Sequence, residues 1–180
     1  RSSDLIRFRH PRSNARCRLD WAVPNDKMPD AQRLMERAVN DGTKIFIIQS
    51  ADEWSEFIAV NSKAVFKDKF FVGTNWLGGV MFNKPHDIFK ELPVGNALNW
   101  PYQALIHTGV ERMGLVMEGE ELLVGAYHTY PMAIGTAMGI VPMGKGSVLF
   151  STLDIYGNII NDSAAGLVAK KLIFNMIDFK

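Results

Sequence analysis

The chain has 180 residues, enough for one domain with a short extension, and 47% of them are hydrophobic, which is ample for a core. Its net charge of +1 gives no electrostatic case for nucleic acid or an anionic membrane surface. A single cysteine, Cys17, excludes an internal disulfide, and no apolar run approaches the ~18 residues that a membrane-spanning helix needs.

Residues 1–28 read as an N-terminal extension or linker, and residues 29–180 as one α/β domain. The arginines at 7, 9, 12, 16 and 18 lie between Asp4 and Asp20. That flanking favours a solvated or interdomain segment over a phosphate-binding arm. The start at Arg1 reads as a cut inside a longer protein, with no signal peptide in view. A first strand is expected within Ala15 to Val23, where Leu19, Trp21 and Val23 alternate with Asp20 and Ala22. A helix begins at Pro29 or Asp30, with Ala31, Leu34, Met35, Ala38 and Val39 on one face, and Gly42 stops it.

Lys44 to Ile48 is apolar on both faces, as a strand covered by helices on each side must be. Ser50 and Glu53 form a capping-box pattern before a helix from about Ala51 to Val60. The stretch from Lys69 to Asn83 predicts short strands or loops, and Asp87 to Lys90 a helical turn. Three strands follow, at Gly114–Met117, Leu122–Tyr127 and Ala133–Val141, the last alternating Ile134, Thr136, Met138 and Ile140 on one face. Gly144-Lys145-Gly146 reads as a hairpin-type turn into a buried strand, Ser147–Ser151. A loop from Thr152 to Asn161 leads to a helix capped by Asp162 or Ser163. Its apolar stripe is Ala165, Val168, Ala169, Leu172, Ile173 and Met176.

Reactive side chains are sparse. Cys17 lies between two arginines that would lower its pKa if they were close, but no glycine beside it makes a nucleophile elbow. Ser151 ends a buried strand outside any G-x-S-x-G pattern, so hydrogen bonding to its own loop is the simpler role. His10, His86, His107 and His128 are scattered without metal-ligand spacing, and no phosphate loop is present. No metal or cofactor is therefore expected. Glu118, Glu120 and Glu121 surround Gly119 and read as a solvated hairpin tip. The remaining candidates are aromatic: Trp76, Trp100 and Tyr102, with His128 beside Tyr127. Aromatic faces stack on sugar rings, with Asn75, Asn99 and Gln103 near enough in sequence to bind hydroxyls; ordinary packing is the competing role.

The run His86-Asp87-Ile88-Phe89-Lys90-Glu91-Leu92-Pro93-Val94-Gly95, followed by Asn99-Trp100-Pro101-Tyr102-Gln103, resembles the C-terminal region of bacterial glycoside hydrolases of family 2, the β-galactosidase-like enzymes. Leu122 to His128, Gly135-Thr136-Ala137 and the segment from Gly144 to Asp154 carry the same resemblance. It is to an extra domain similar to class I glutamine amidotransferases, and it covers roughly residues 29–180. The resemblance implies a three-layer, flavodoxin-like α/β fold with a mostly parallel central sheet and added antiparallel strands. The amidotransferase Cys–His–Glu triad has no counterpart, since no cysteine follows Cys17 and no His-x-Glu lies near the end. The glycosidase glutamate pair belongs to a barrel expected upstream. The expectation is a non-catalytic accessory domain of a periplasmic or secreted carbohydrate-degrading enzyme. Its partners would be that barrel and the parent's other domains, possible carbohydrate or a second copy, but neither nucleic acid nor a membrane span. The alternatives are a carbohydrate-binding module using Trp76, Trp100, Tyr102 or His128, and a degenerate hydrolase using Cys17 or Ser151.

Overall fold

The computed structural model describes residues 18–19, 29–48, 51–72, 79–95, 97–98, 100–107, 113–129 and 132–179. The strands are β1 (Arg18–Leu19), β2 (Lys44–Ile47), β3 (Val65–Phe71), β4 (Gly79–Asn83), β5 (Met113–Glu118), β6 (Glu121–Thr129), β7 (Met132–Met143) and β8 (Gly146–Ser151). The helices are α1 (Pro29–Asp41), α2 (Ala51–Val60), α3 (Gln103–His107), α4 (Ile155–Ile159) and α5 (Ala164–Asp178). Short 3-10 turns lie at Asp87–Phe89 and Trp100–Tyr102.

All eight strands join one mixed sheet with helices on both faces. Alternation along β2 and β8 shows why their sequences are apolar throughout. Ile45, Ile47, Val148 and Phe150 face a core shared with α1 and α2. Phe46 and Leu149 face the opposite core, shared with α3, α4 and α5. The helical stripe predicted for α5 packs there through Val168, Ala169, Leu172, Ile173 and Met176. Ser163 caps that helix, its Oγ accepting the Gly166 N–H at 3.2 Å.

The sheet is not mostly parallel. Among the described residues, only β1–β2 and β2–β8 pair in parallel. The pairs β3–β5, β4–β6, β5–β7, β6–β7 and β7–β8 are antiparallel. Two-residue connections account for the antiparallel pairs β6–β7 and β7–β8, because parallel neighbours need a long crossover and antiparallel ones do not; β3–β5, β4–β6 and β5–β7 pair across longer stretches of chain. The strand β7 is the junction. One edge carries β6 and then β4; the other carries β8 and, at Leu115↔Thr136, the β5–β3 branch. Gly135 permits that branch, since a Cβ there would lie 2.6 Å from the Leu115 carbonyl oxygen.

Three further expectations are corrected. The Glu118–Glu121 turn is not a hairpin tip: β5 and β6 each pair with β7 and not with one another. The expected loop after β8 contains the helical turn α4, nucleated by Asp154, whose Oδ1 accepts the Gly157 N–H at 2.9 Å. The alternation in β7 is broken by a bulge. Thr136 pairs with Gly125 and Met138 with Val124, so Ala137 is the extra residue. Ile134 is left in solvent on one face while Met138 and Ile140 enter the α5 core on the other. The Gly144–Lys145 turn does close a hairpin, with Met143 opposite Gly146 and Gly144 at φ +58°.

Candidate functional site

The strands β2 and β8 lie side by side and parallel, and their exits diverge. After β2 the chain enters α2, on the core shared with α1. After β8 it enters α4 and α5, on the opposite core. Connections leaving adjacent parallel strands toward opposite faces open a crevice at the carboxyl ends, where open α/β sheets bind their ligands. Residues 49–50, including the expected cap Ser50, lie outside the described residues.

The polar groups on the β8 side of this point hold the chain itself. Ser151 is fully buried, and its Oγ accepts the Leu153 N–H at 3.2 Å. Thr152 Oγ1 donates toward the carbonyls of Met113, at 2.8 Å, and Ala137, at 3.1 Å. Asp154 caps α4, and its backbone carbonyl accepts from Asn158 Nδ2 at 2.8 Å. Among the described residues, no group of three or more His, Cys, Asp or Glu converges as metal ligands would. On the β2 side, the buried indole N–H of Trp54 in α2 has no hydrogen-bond partner among the described residues.

Among the described residues, Trp100, Tyr102 and His128 are not brought together as one site. Trp76 and Cys17 lie outside the described residues. Trp100 is 83% exposed at the start of its 3-10 turn. Two residues later, Tyr102 is 1% exposed and belongs to the α5-side core, its ring edge-on to Phe89. Its hydroxyl donates to the Pro93 carbonyl at 2.6 Å and accepts from Asn83 Nδ2 at 3.2 Å. Burial pushes that hydroxyl's pKa up to about 12, against a smaller opposing effect of the Asn83 bond. Tyr102 is thus a core residue rather than a surface for a sugar. His128 is half-buried on β6, opposite Gly79. Asn83, which bonds Tyr102, pairs with Val124, four residues before His128 on β6. At about 3.4 Å per residue, the backbones of Val124 and His128 are roughly 14 Å apart.

A second surface emerges that periodicity alone concealed. Val80 pairs with Tyr127 and Tyr127 with Ile134, so the three form one cross-strand row. Phe82 and Met132, each two residues from a member of that row, share its face. Phe82 lies over Gly125, where a Cβ would meet its ring at 2.3 Å. The reverse face carries Met81 and Ala126 into the α5 core. On the outer face Met132 is 78% and Ile134 65% exposed, with Val80 and Phe82 also exposed. The signal that would have located this face is the bulge at Ala137, which no residue pattern announces.

No protein-family model matches the chain, and no curated protein sequence matches it.

Proposed function

We propose that the chain is a non-catalytic accessory domain of a larger, exported carbohydrate-degrading enzyme of the β-galactosidase-like kind. In this reading it docks on a neighbouring domain of the parent through the outer face of β4, β6 and β7. The observation that carries the reading is the cross-strand row of exposed Val80, half-buried Tyr127 and exposed Ile134, with exposed Phe82 and Met132 beside it. Contiguous exposed apolar side chains rimmed by polar ones mark interaction surfaces. Burying each would contribute on the order of 1 kcal/mol to docking. The occupied hydroxyls of Ser151 and Thr152 fit a strand end that holds its own loop rather than a substrate. The parallel pairing of β1, β2 and β8, with β2 and β8 covered on both faces, supports a flavodoxin-like, amidotransferase-like reading of the layer. Hydrogen–deuterium exchange on this chain alone and within its full-length parent tests the proposal. Protection gained in the parent along β4 and the outer ends of β6 and β7 is expected; unchanged exchange there overturns it.

One observation favours a second reading. The indole of Trp100 stands in solvent beside Pro101, as a sugar-stacking platform would. Titration with galactosides, mannosides and plant-polysaccharide oligomers tests it. Millimolar binding abolished by Trp100→Ala supports a carbohydrate-binding module, and absence of binding removes that reading.

A further inference from the structure

We propose that His86 is an acid-sensitive latch that fastens the end of α5 to the rest of the domain. Three contacts converge on this one imidazole. Nδ1 accepts the Ile88 N–H at 3.2 Å and so caps the 3-10 turn at Asp87–Phe89. The ring packs against Phe179 with centroids 5.0 Å apart. Nε2 faces Glu121 Oε1 on β6 at 3.8 Å.

The turn that His86 caps is what α5 grips. Asn175 Nδ2 donates to the carbonyls of Ile88 and Lys90, each at 2.9 Å. Phe179 is held from the other side by Lys44, whose Nζ donates to its carbonyl at 2.8 Å and stands 4.5 Å from its ring centroid.

An imidazole that accepts at Nδ1 carries its proton on Nε2. Adding a second proton places an N–H at Nδ1, against the N–H of Ile88. Two donors cannot bond, so the cap is lost and the ring is drawn toward Glu121. Lys84 Nζ, 3.5 Å from the same oxygen, competes with the ring for that carboxylate. Asp87 lies on the same turn in sequence, and the Lys44 ammonium stands over the Phe179 ring. Histidine is the side chain that ordinarily changes charge between about pH 5 and 8. The latch is therefore closed while Nδ1 is free to accept the Ile88 N–H and open once Nδ1 is protonated.

The test is NMR on the intact chain. At pH 8 the imidazole ¹⁵N shifts should place the proton of His86 on Nε2. On acidification the amides of Lys90, Leu92 and Phe179, corrected for intrinsic rates, should exchange about fivefold faster, the loss expected of one helix-cap bond. Their midpoint should be that of the imidazole. His86→Asn, which accepts from Ile88 without titrating, should keep the slow exchange at both pH values. A proton on Nδ1 at pH 8 overturns the proposal, as does exchange at these amides that follows the middle of α5 or responds equally in His86→Asn. The tautomer and the titration are read on the wild-type chain, so they decide the matter even if the variant fails to fold.

Discussion

The sharpest consequence of the packing concerns Gly146. The β7–β8 turn is wedged against the corner where α1 passes into β2. A Cβ on Gly146 would lie 2.2 Å from the Thr43 carbonyl oxygen, 2.8 Å from that of Ala38 and 3.0 Å from the Gly42 carbonyl carbon. All three atoms are backbone, so no side chain can swing aside. Moving them would strain the Lys145 N–H to Val39 carbonyl bond of 3.0 Å and the Lys44↔Ser147 register of the parallel pair. Overpacking costs about 1–3 kcal/mol when side chains can adjust. Against rigid backbone, Gly146→Ala should cost about 3 kcal/mol or more. Gly95→Ala is the control: Gly95 sits at φ +77° with nothing within 4 Å of its Cβ position, so only the left-handed conformation is penalised, by about 1–2 kcal/mol. Urea unfolding of both variants with unchanged m-value measures the difference. A loss at Gly146 no larger than that at Gly95 would refute the wedge.

Other expectations follow from single contacts. Ser163→Ala removes the α5 cap and should cost about 1 kcal/mol, read as a lower midpoint in urea. Phe150 and Phe82 both lie over cross-strand glycines, Gly139 and Gly125, but Phe150 is buried in the α1–α2 core and Phe82 is not. Phe150→Ala should therefore cost about 3–5 kcal/mol and Phe82→Ala on the order of 1 kcal/mol, in the same denaturation assay. Tyr102 has its folded-state pKa raised to about 12. Its contribution to stability is whole below the ordinary tyrosine value of about 10 and declines as pH rises from there toward 12, because only the unfolded chain ionises in that window. Stability measured against pH in Tyr102→Phe should lack that part of the alkaline decline, and spectrophotometric titration should show one tyrosine ionising late.

What the residues announce and what they hide divides along physical lines. Local rules located α1, β2, α2, β8 and α5, because a stripe of period 3.6 or a doubly apolar run reports which faces are buried. They also located the turn at Gly144, though the close approach at Gly146 depends on α1, over a hundred residues earlier in the chain. Strand direction was legible only in part. The added antiparallel strands expected from the middle of the chain are present, but nothing local says that they outnumber the parallel ones. The separation of Trp100 from Tyr102 was hidden for a related reason. Trp100 and Tyr102 share one short turn, yet one indole faces water and one phenol is buried, because Asn83 and Pro93 supply hydrogen-bond partners that no spacing rule places nearby.

The bulge at Ala137 links these failures to the proposed function. An uninterrupted β7 would keep Ile134, Thr136, Met138 and Ile140 on one face, and a single layer of helices could cover them all. The inserted residue reverses the facing midway. Met138 and Ile140 complete the core beneath α5, and Ile134 is left with Val80, Phe82 and Met132 on a surface beyond the reach of that layer. Deleting Ala137 should restore the simple alternation at the expense of the core, since Thr136 is buried and already bonded to Glu120 Oε1 at 2.7 Å. The exposed face is thus tied to how the core is closed, and it cannot be made polar by register alone. Replacing Ile134 with lysine leaves the core side chains untouched, so a loss of protection confined to the docked parent, with this chain's own unfolding midpoint unchanged, is what an interface on this face requires.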